Sequence, residues 1–202
     1  YLPVFEKNYN IVNFLYKSNK KVKLFAIKPE YEEKEILDFS KENKLEILRV
    51  GFEKLQDPIQ ESFYKQLGLS YKISSDYFRL DYDPVRNKEL ENHLKDYYQC
   101  NNKYSVVHIE GSNTNFEQTN LKINSFENLI FVEKKSDKFN NIFYYLDIFQ
   151  NAKEVHCINS SFFCLAERIP TSGKLFFHNL KKEKNVKNVT SFLKDWNFID
   201  YY

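Results

Sequence analysis

The sequence of 202 residues lacks the patterns that mark several common kinds of site. It contains four glycines, and none of the patterns GxGxxG, GxSxG, HExxH or the Walker phosphate loop occurs. The three cysteines, Cys100, Cys157 and Cys164, form no CxxC pair, and their number is odd. These absences exclude the usual dinucleotide loop and zinc-ligand spacings. They also argue against a disulfide framework and for a reducing compartment, which we expect to be the cytoplasm.

Long apolar runs and strong charge are missing as well. No run of 18 apolar residues and no secretory signal occurs, so we expect no transmembrane segment. The net charge of +2 is too small to predict a nucleic acid partner. There is no methionine, so the sequence opens at Tyr1 as if an upstream piece were missing. What is present is 42% hydrophobic and 17% aromatic residues, which predicts a globular protein with a real core.

The first half of the chain alternates between helical and strand-like patterns. "FEKNYNIVNFLYKS" (5–18) and "PEYEEKEILDFSKEN" (29–43) have helical spacing, and the second opens with proline and acidic residues. "KVKLFAI" (21–27) and "LEILRVG" (45–51) are strand-like. This alternation predicts a parallel sheet with helical crossovers. Two further helices are predicted within 57–69 and 85–98, with an irregular segment or single strand between them.

The second half repeats the alternation after a predicted hinge at 97–103. The predicted strands lie within 104–111, 128–137, 153–159 and 173–179, and the predicted helices within 140–152 and 160–169. The tail, through Trp196, is expected to pack against the body. Because ligands in open α/β sheets collect at the carboxyl ends of the strands, the rule selects four loops in this half. They begin at His108, Glu133, Asn159 and His178.

The junction Asn159-Ser160-Ser161 is the first candidate site. Small polar side chains at a helix start accept hydrogen bonds from backbone N–H groups, and the remaining N–H groups suit phosphate oxygens. The pattern therefore predicts a cradle for a diphosphate. An ordinary helix cap would have the same sequence.

Single residues in the other loops have a functional and a structural interpretation. His108 can donate to a phosphate or a sugar hydroxyl beside the flexible Gly111, or it can be structural. Glu133 can accept hydrogen bonds from a ribose or a base, or belong to a solvated charge run. His178 has the same standing as His108, whereas His156 within its strand is expected to be a satisfied core histidine.

The run "DIFQNAKEVHCINSSFFCLAERI" (147–169), followed by "KLFFHN", resembles the donor-side half of GT-B glycosyltransferases. It is similar to small bacterial and viral glycosyltransferase-like proteins that are distantly related to heptosyltransferases. The resemblance implies an α/β fold of two small Rossmann-like lobes in a GT-B-like arrangement, with parallel sheets and helical crossovers. Residues 1–97 would form the acceptor-side lobe without its first strand and loop, and residues 98–202 the nucleotide-sugar-binding lobe.

The resemblance also implies roles for particular residues. Ser160 and Ser161 would contact the donor diphosphate, and Asn159 would cap the helix. His108, Glu110 and Ser112 would belong to the loop that faces the interdomain cleft. Gly111, Glu133 and His178, which the strand-end rule selects, complete the expected donor site. The glycine-rich loop that carries the catalytic group in such enzymes has no counterpart here, so no catalytic residue is assigned.

The expected reaction is transfer of a sugar from a nucleotide sugar to a hydroxyl of a glycan or lipid-linked acceptor, without a metal or other cofactor. The first alternative is a non-catalytic binding or assembly module derived from a transferase. The second is another Rossmann-like enzyme, such as a nucleotide-sugar epimerase or a phosphatase. The epimerase would lack its glycine motif, and the phosphatase would lack an aspartate nucleophile at its first strand.

Overall fold

The computed structural model describes residues 1–56, 58–101, 103–111, 116–124, 127–180 and 190–201. The chain forms two compact units. The smaller unit contains residues 1–51 and 79–81, and the larger unit contains residues 52–78 and 82–202. The predicted lobe boundary at residues 97 and 98 falls inside the larger unit.

The smaller unit is a strand–helix–strand motif with a second helix. Strand β1 (Leu2–Phe5), helix α1 (Tyr9–Tyr16), strand β2 (Leu24–Ile27) and helix α2 (Glu32–Asn43) follow in order. The two strands pair in parallel, with Val4 opposite Ala26 and Phe5 opposite Ile27. The ring of Phe25 stacks on Phe39 of α2 with centroids 4.1 Å apart. The predicted parallel crossover is therefore present here, although β1 was not predicted from the sequence.

The prediction of a strand at 45–51 is wrong. Residues 45–50 form neither helix nor strand, and Leu48 is 79% exposed. Arg49 instead reaches Glu33 of α2 in an exposed ion pair of 2.6 Å. A strand-like sequence forms a strand only where a neighbour supplies hydrogen bonds and a surface on which to bury its apolar face. At Leu48 no such burial takes place.

The larger unit is built on a five-stranded parallel sheet. Its strands are β3 (Ser105–His108), β4 (Leu129–Phe131), β5 (Glu154–Cys157), β6 (Lys174–Asn179) and β7 (Asn197–Asp200). The spatial order is β4-β3-β5-β6-β7, and all four pairings are parallel. Counted from its first strand, this is the doubly wound order 2-1-3-4-5, in which the strand order reverses beside β3. The α/β class with parallel sheets is confirmed.

Among its described residues, this unit has the α-helices α3 (Ile59–Gln66), α4 (Ile73–Asp76), α5 (Pro84–Tyr97), α6 (Leu146–Asn151) and α7 (Ser161–Ala166). Helix α5 begins with Pro84, and the side chain of Asp83 caps it by accepting from the Arg86 amide. None of the helices in the described ranges is long and apolar enough to cross a membrane.

The sheet has apolar residues on both faces. On one face the ring of Phe177 of β6 meets the ring of Phe163 of α7 edge-on, with centroids 5.3 Å apart. Phe163 also contacts Trp196 with ring centroids 5.1 Å apart, so the tail packs against the body as predicted. On the other face Val107, Ile109 and Ile158 form a buried cluster with Leu121 and Leu129. Both surfaces of the sheet are thus covered, which leaves its carboxyl edge as the place where loops meet.

Candidate functional site

A cleft of about 290 Å³ opens at the carboxyl ends of β3 and β4. Its walls include His108 at the end of β3, Glu110 and Gly111 from the loop after β3, and Glu133 from the loop after β4. Tyr145, just before α6, and Phe162 of α7 also line the cleft. Four of the six residues expected in the strand-end loops therefore lie around one cavity. Ser112 lies outside the described residues.

The cleft lies beside the point where the strand order reverses. Loops from neighbouring parallel strands diverge where the order of a doubly wound sheet reverses, and a crevice opens between them. Here the reversal lies between β3 and β5, and β4 is the neighbour of β3 on the other side. The cleft lies on the β4 side, and Phe162 reaches it from the helix that follows β5.

His108 is held in one tautomer. Its Nδ1 lies 2.9 Å from the backbone oxygen of Val132, and because a carbonyl only accepts, Nδ1 must carry the proton. The lone pair is then on Nε2. Burial lowers the pKa of His108, so the ring is neutral at pH 7. His108 is thus an acceptor rather than the phosphate donor that the sequence allowed.

The two glutamates of the cleft are anchored by protein groups. Glu110 accepts a hydrogen bond of 2.9 Å from the amide of Lys134, which joins the loops after β3 and β4. Glu133 accepts from the hydroxyl of Tyr98 at 2.6 Å and from the side chain of Gln118 at 3.2 Å. Each carboxylate retains lone pairs beyond these bonds. Both can therefore accept further hydrogen bonds from a ligand.

The junction Asn159-Ser160-Ser161 does not line this cleft. The side chain of Ser160 caps α7 by accepting from the Phe163 amide at 3.3 Å, so the cap is Ser160 and the expectation for Asn159 is wrong. The side-chain nitrogen of Asn159 instead donates to the hydroxyl of Thr190 at 3.0 Å. The geometry therefore matches the structural interpretation, and contact with a diphosphate stays a prediction.

Replacing the capping serine gives a direct measure of this local role. Ser160→Ala is expected to lower the free energy of unfolding by about 1 kcal/mol, because the Phe163 amide loses its acceptor. Ser161→Ala, at an exposed position one residue later, is the matched control and should change it by less than about 0.5 kcal/mol. Urea denaturation of the three proteins measures both values. Equal stability of the two variants would contradict the assignment of the cap.

His178 lies away from the cleft, on the opposite face of the sheet. His108 is in register with Cys157, and Cys157 with Phe177, so those three side chains share a face and His178 points the other way. His178 is 1% exposed. Its Nε2 lies 2.9 Å from Nδ1 of His156, and its Nδ1 lies 2.7 Å from the hydroxyl of Tyr201.

These contacts form one directional hydrogen-bond chain, which we call the histidine chain: Tyr201, His178, His156 and Glu154. The hydroxyl of Tyr201 accepts from the amide of Lys122 at 2.9 Å and can donate to His178. His178 then donates to His156, and His156 donates to Glu154 at 3.4 Å. Every group is satisfied with both histidines neutral. This confirms His156 as a satisfied core histidine and gives His178 the same role.

Sequence reasoning missed the aromatic walls of the cleft, Tyr145 and Phe162. Both lie in helical stretches, where spacing predicts only that an aromatic residue packs in the core. Phe162 does pack, with its ring 4.5 Å from His108 and 5.0 Å from Tyr145. No motif in the sequence distinguishes an aromatic residue that borders a cavity from one that fills a core.

Within the described part of the chain, no group of three or more His, Cys, Asp or Glu side chains is arranged to hold a metal ion. Comparison of the chain with protein-family models, with curated proteins and with solved structures found no match.

Proposed function

We propose that the chain is a glycosyltransferase of the GT-B type that binds a nucleotide sugar at the cleft of the larger unit. The observation that carries the proposal is the meeting of His108, Glu110, Gly111 and Glu133 around one cavity. In the sequence these residues end or follow two different strands, and the sheet brings them together. A cleft at the carboxyl edge of a doubly wound sheet is where nucleotide ligands bind in this architecture.

The chemistry of the cleft fits the sugar and ribose parts of such a ligand. Carboxylates and a neutral imidazole nitrogen accept hydrogen bonds, which hydroxyl groups supply. The reaction would transfer the sugar to a hydroxyl of a glycan or lipid-linked acceptor in the cytoplasm, without a metal. Catalytic residues stay unassigned, and the proposed donor site rests on the cleft rather than on the loop at Ser160.

The test is ligand-induced stabilisation. Each of the UDP, GDP, ADP and CDP forms of common sugars is added to the protein, and unfolding is followed by differential scanning fluorimetry. At about 100 times its Kd, a true ligand stabilises the native protein by about 2.7 kcal/mol and raises Tm accordingly. Absence of a shift for the whole panel contradicts the proposal.

A matched pair of variants locates the site. Glu110→Gln removes a charge from the cleft but keeps an acceptor for the Lys134 amide, and it should reduce the Tm shift. Asp195→Asn removes an exposed charge just before β7, at the amino edge of the sheet, and should leave the shift unchanged. Release of free nucleotide with an acceptor glycan then separates a transferase from a non-catalytic binding module, which would bind without turnover.

A further inference from the structure

Tyr145 carries an unsatisfied hydroxyl at the wall of the cleft. The residue is 0% exposed, and its hydroxyl has no hydrogen-bond partner among the described residues. Buried polar atoms are nearly always paired, so an orphaned one requires an explanation. The ring is fixed edge-on against Phe162 with centroids 5.0 Å apart. The hydroxyl is therefore a donor held in place without an acceptor of its own.

The phenol stays protonated because of its surroundings. Burial and the nearby charge of Asp137 raise the pKa of Tyr145, although the Asp137 carboxylate does not meet the geometry of a hydrogen bond with it. Asp137 Oδ1 accepts instead from the amides of Phe139 and Asn140, at 3.0 and 2.9 Å. The hydroxyl of Tyr145 is thus a neutral donor at physiological pH.

A complementary acceptor belongs to the same cleft. With its Nδ1 proton bound to Val132, His108 has its lone pair on Nε2, and Nε2 has no hydrogen-bond partner within the described part of the chain. The residues of the cleft therefore include an uncharged donor and an uncharged acceptor that the protein itself does not use.

The charges around this pair disfavour an anion. Glu110, Glu133 and Asp137 line the cleft, and Lys134 is the cation among the lining residues. Lys135 lies nearby but pairs with Glu133 at 2.9 Å. Counting both lysines, three carboxylates face two ammonium groups. A phosphate or diphosphate placed here would meet a field of its own sign.

We infer that this cleft selects an uncharged part of the ligand bearing neighbouring hydroxyls, with one hydroxyl donating to His108 Nε2 and another oxygen accepting from the Tyr145 hydroxyl. In a nucleotide sugar, which is the ligand of the proposed function, both the transferred sugar and the ribose have this chemistry. The diphosphate would then lie outside the cleft. Tyr145 and His108 are specificity-determining residues in this assignment.

The decisive variant is Tyr145→Phe, which removes only the hydroxyl. Without ligand, its Tm should be equal to or higher than that of the wild type, because an unpaired buried polar atom is removed. Affinity for the ligand that gives the largest Tm shift should fall about tenfold by isothermal titration calorimetry. Tyr144→Phe, the adjacent tyrosine outside the cleft, is the matched control and should bind like the wild type. A lower Tm of the free Tyr145→Phe protein, or unchanged affinity, would overturn the inference.

His108→Asn tests the acceptor separately. An asparagine nitrogen can keep the bond to Val132 but offers nothing at the position of Nε2. Its affinity should fall by a similar factor, and an affinity equal to that of the wild type would contradict the role given to Nε2.

Unlinked probes identify the part of the ligand that binds. Free monosaccharides, the four ribonucleosides, their 2′,3′-dideoxy forms and inorganic pyrophosphate are titrated at millimolar concentration. If monosaccharides bind to the wild type and bind more weakly to Tyr145→Phe, the transferred sugar occupies the cleft. If ribonucleosides show this difference and their dideoxy forms do not bind, the ribose occupies it. Either result supports the inference even if no nucleotide sugar binds, which would refute only the proposed function. A Tyr145-dependent signal from pyrophosphate alone, or no such signal from any probe, would overturn the inference.

Discussion

Gly173→Ala is expected to lower the free energy of unfolding by more than about 3 kcal/mol, the largest effect we predict for a single methyl group. Gly173 directly precedes β6, where the chain passes close to the residues leading into β5. A β-carbon built there would overlap the backbone oxygens of Ala152 and Lys153 and would lie 2.6 Å from the Lys153 carbonyl carbon. These are backbone atoms, so no side chain can rotate away to make room.

The surrounding hydrogen bonds fix this close approach. The amide of Lys174 donates to Lys153 at 3.1 Å, and the hydroxyl of Ser172 donates to Gln150 at 2.7 Å. Separating the two segments to admit a methyl group would weaken both bonds at the start of the β5–β6 pairing. The destabilisation should therefore spread into the central sheet.

Gly51→Ala is the matched control for this prediction. A β-carbon at Gly51 has nothing within 4 Å, so the same chemical change should alter stability by less than about 1 kcal/mol. Chemical denaturation of the three proteins gives the comparison. If Gly173→Ala proves too unstable to purify, its soluble yield relative to Gly51→Ala provides the measure. Equal midpoints for the two variants would show that the segments are not packed as described.

Most strands of the larger unit can be predicted from the sequence, because they are short apolar runs followed by polar loops. "YSVVHIEG", "KEVHCIN" and "GKLFFHN" predicted β3, β5 and β6. The prediction failed for β7, where "NFID" has too little apolar character to mark a strand without the neighbouring β6. It also failed at 45–51, where a strand-like pattern lacks a partner. In both cases the outcome depends on which neighbour is present, and local sequence does not encode the neighbour.

The candidate site was predictable in part for a related reason. Residues that follow strands can be found from the sequence, and the sheet topology gathers those after β3 and β4. Which face a side chain occupies is harder, because a shift of one residue reverses it. His108 and His178 both end apolar runs, yet the register places them on opposite faces. The hydroxyl of Tyr145 lacks a hydrogen-bond partner among the described residues, and no sequence pattern predicts the lack of a partner.

Acidification from pH 6.5 to 5 is expected to destabilise the protein by about 1.6 kcal/mol through His178 of the histidine chain alone. Burial, and secondarily the neighbouring His156, lower the pKa of His178 to about 3. In the unfolded chain the pKa is about 6.5. Between these values the unfolded state binds a proton that the folded state does not, so stability falls as the pH falls. The unfolded histidine is half protonated at pH 6.5 and almost fully protonated at pH 5. Integrated over this interval, a slope of about 1.4 kcal/mol per pH unit for each proton gives about 1.6 kcal/mol.

The other buried histidines act in the same direction. Burial also lowers the pKa of His156 and of His108, so each adds to the loss below pH 6.5. The lysine partners of Glu91 lower the pKa of its carboxyl despite its burial, but that contribution is lost only below the unfolded value of about 4.5. The interval from pH 6.5 to 5 therefore isolates the histidines from this buried carboxylate.

A pair of histidine variants tests whether the pH dependence comes from the histidine chain. The free energy of unfolding is measured by urea denaturation at several pH values between 5 and 6.5. His178→Gln keeps an amide that can donate to His156 but does not titrate. The slope should therefore fall by about half a proton at pH 6.5 and by nearly one proton, or about 1.4 kcal/mol per pH unit, at pH 5. His93→Gln, on α5 and outside the histidine chain, is the control for replacing a histidine as such. A wild-type slope in His178→Gln would mean that His178 binds its proton equally in the folded and unfolded states. The neutral tautomers assigned to the chain from its hydrogen-bond directions would then be incorrect.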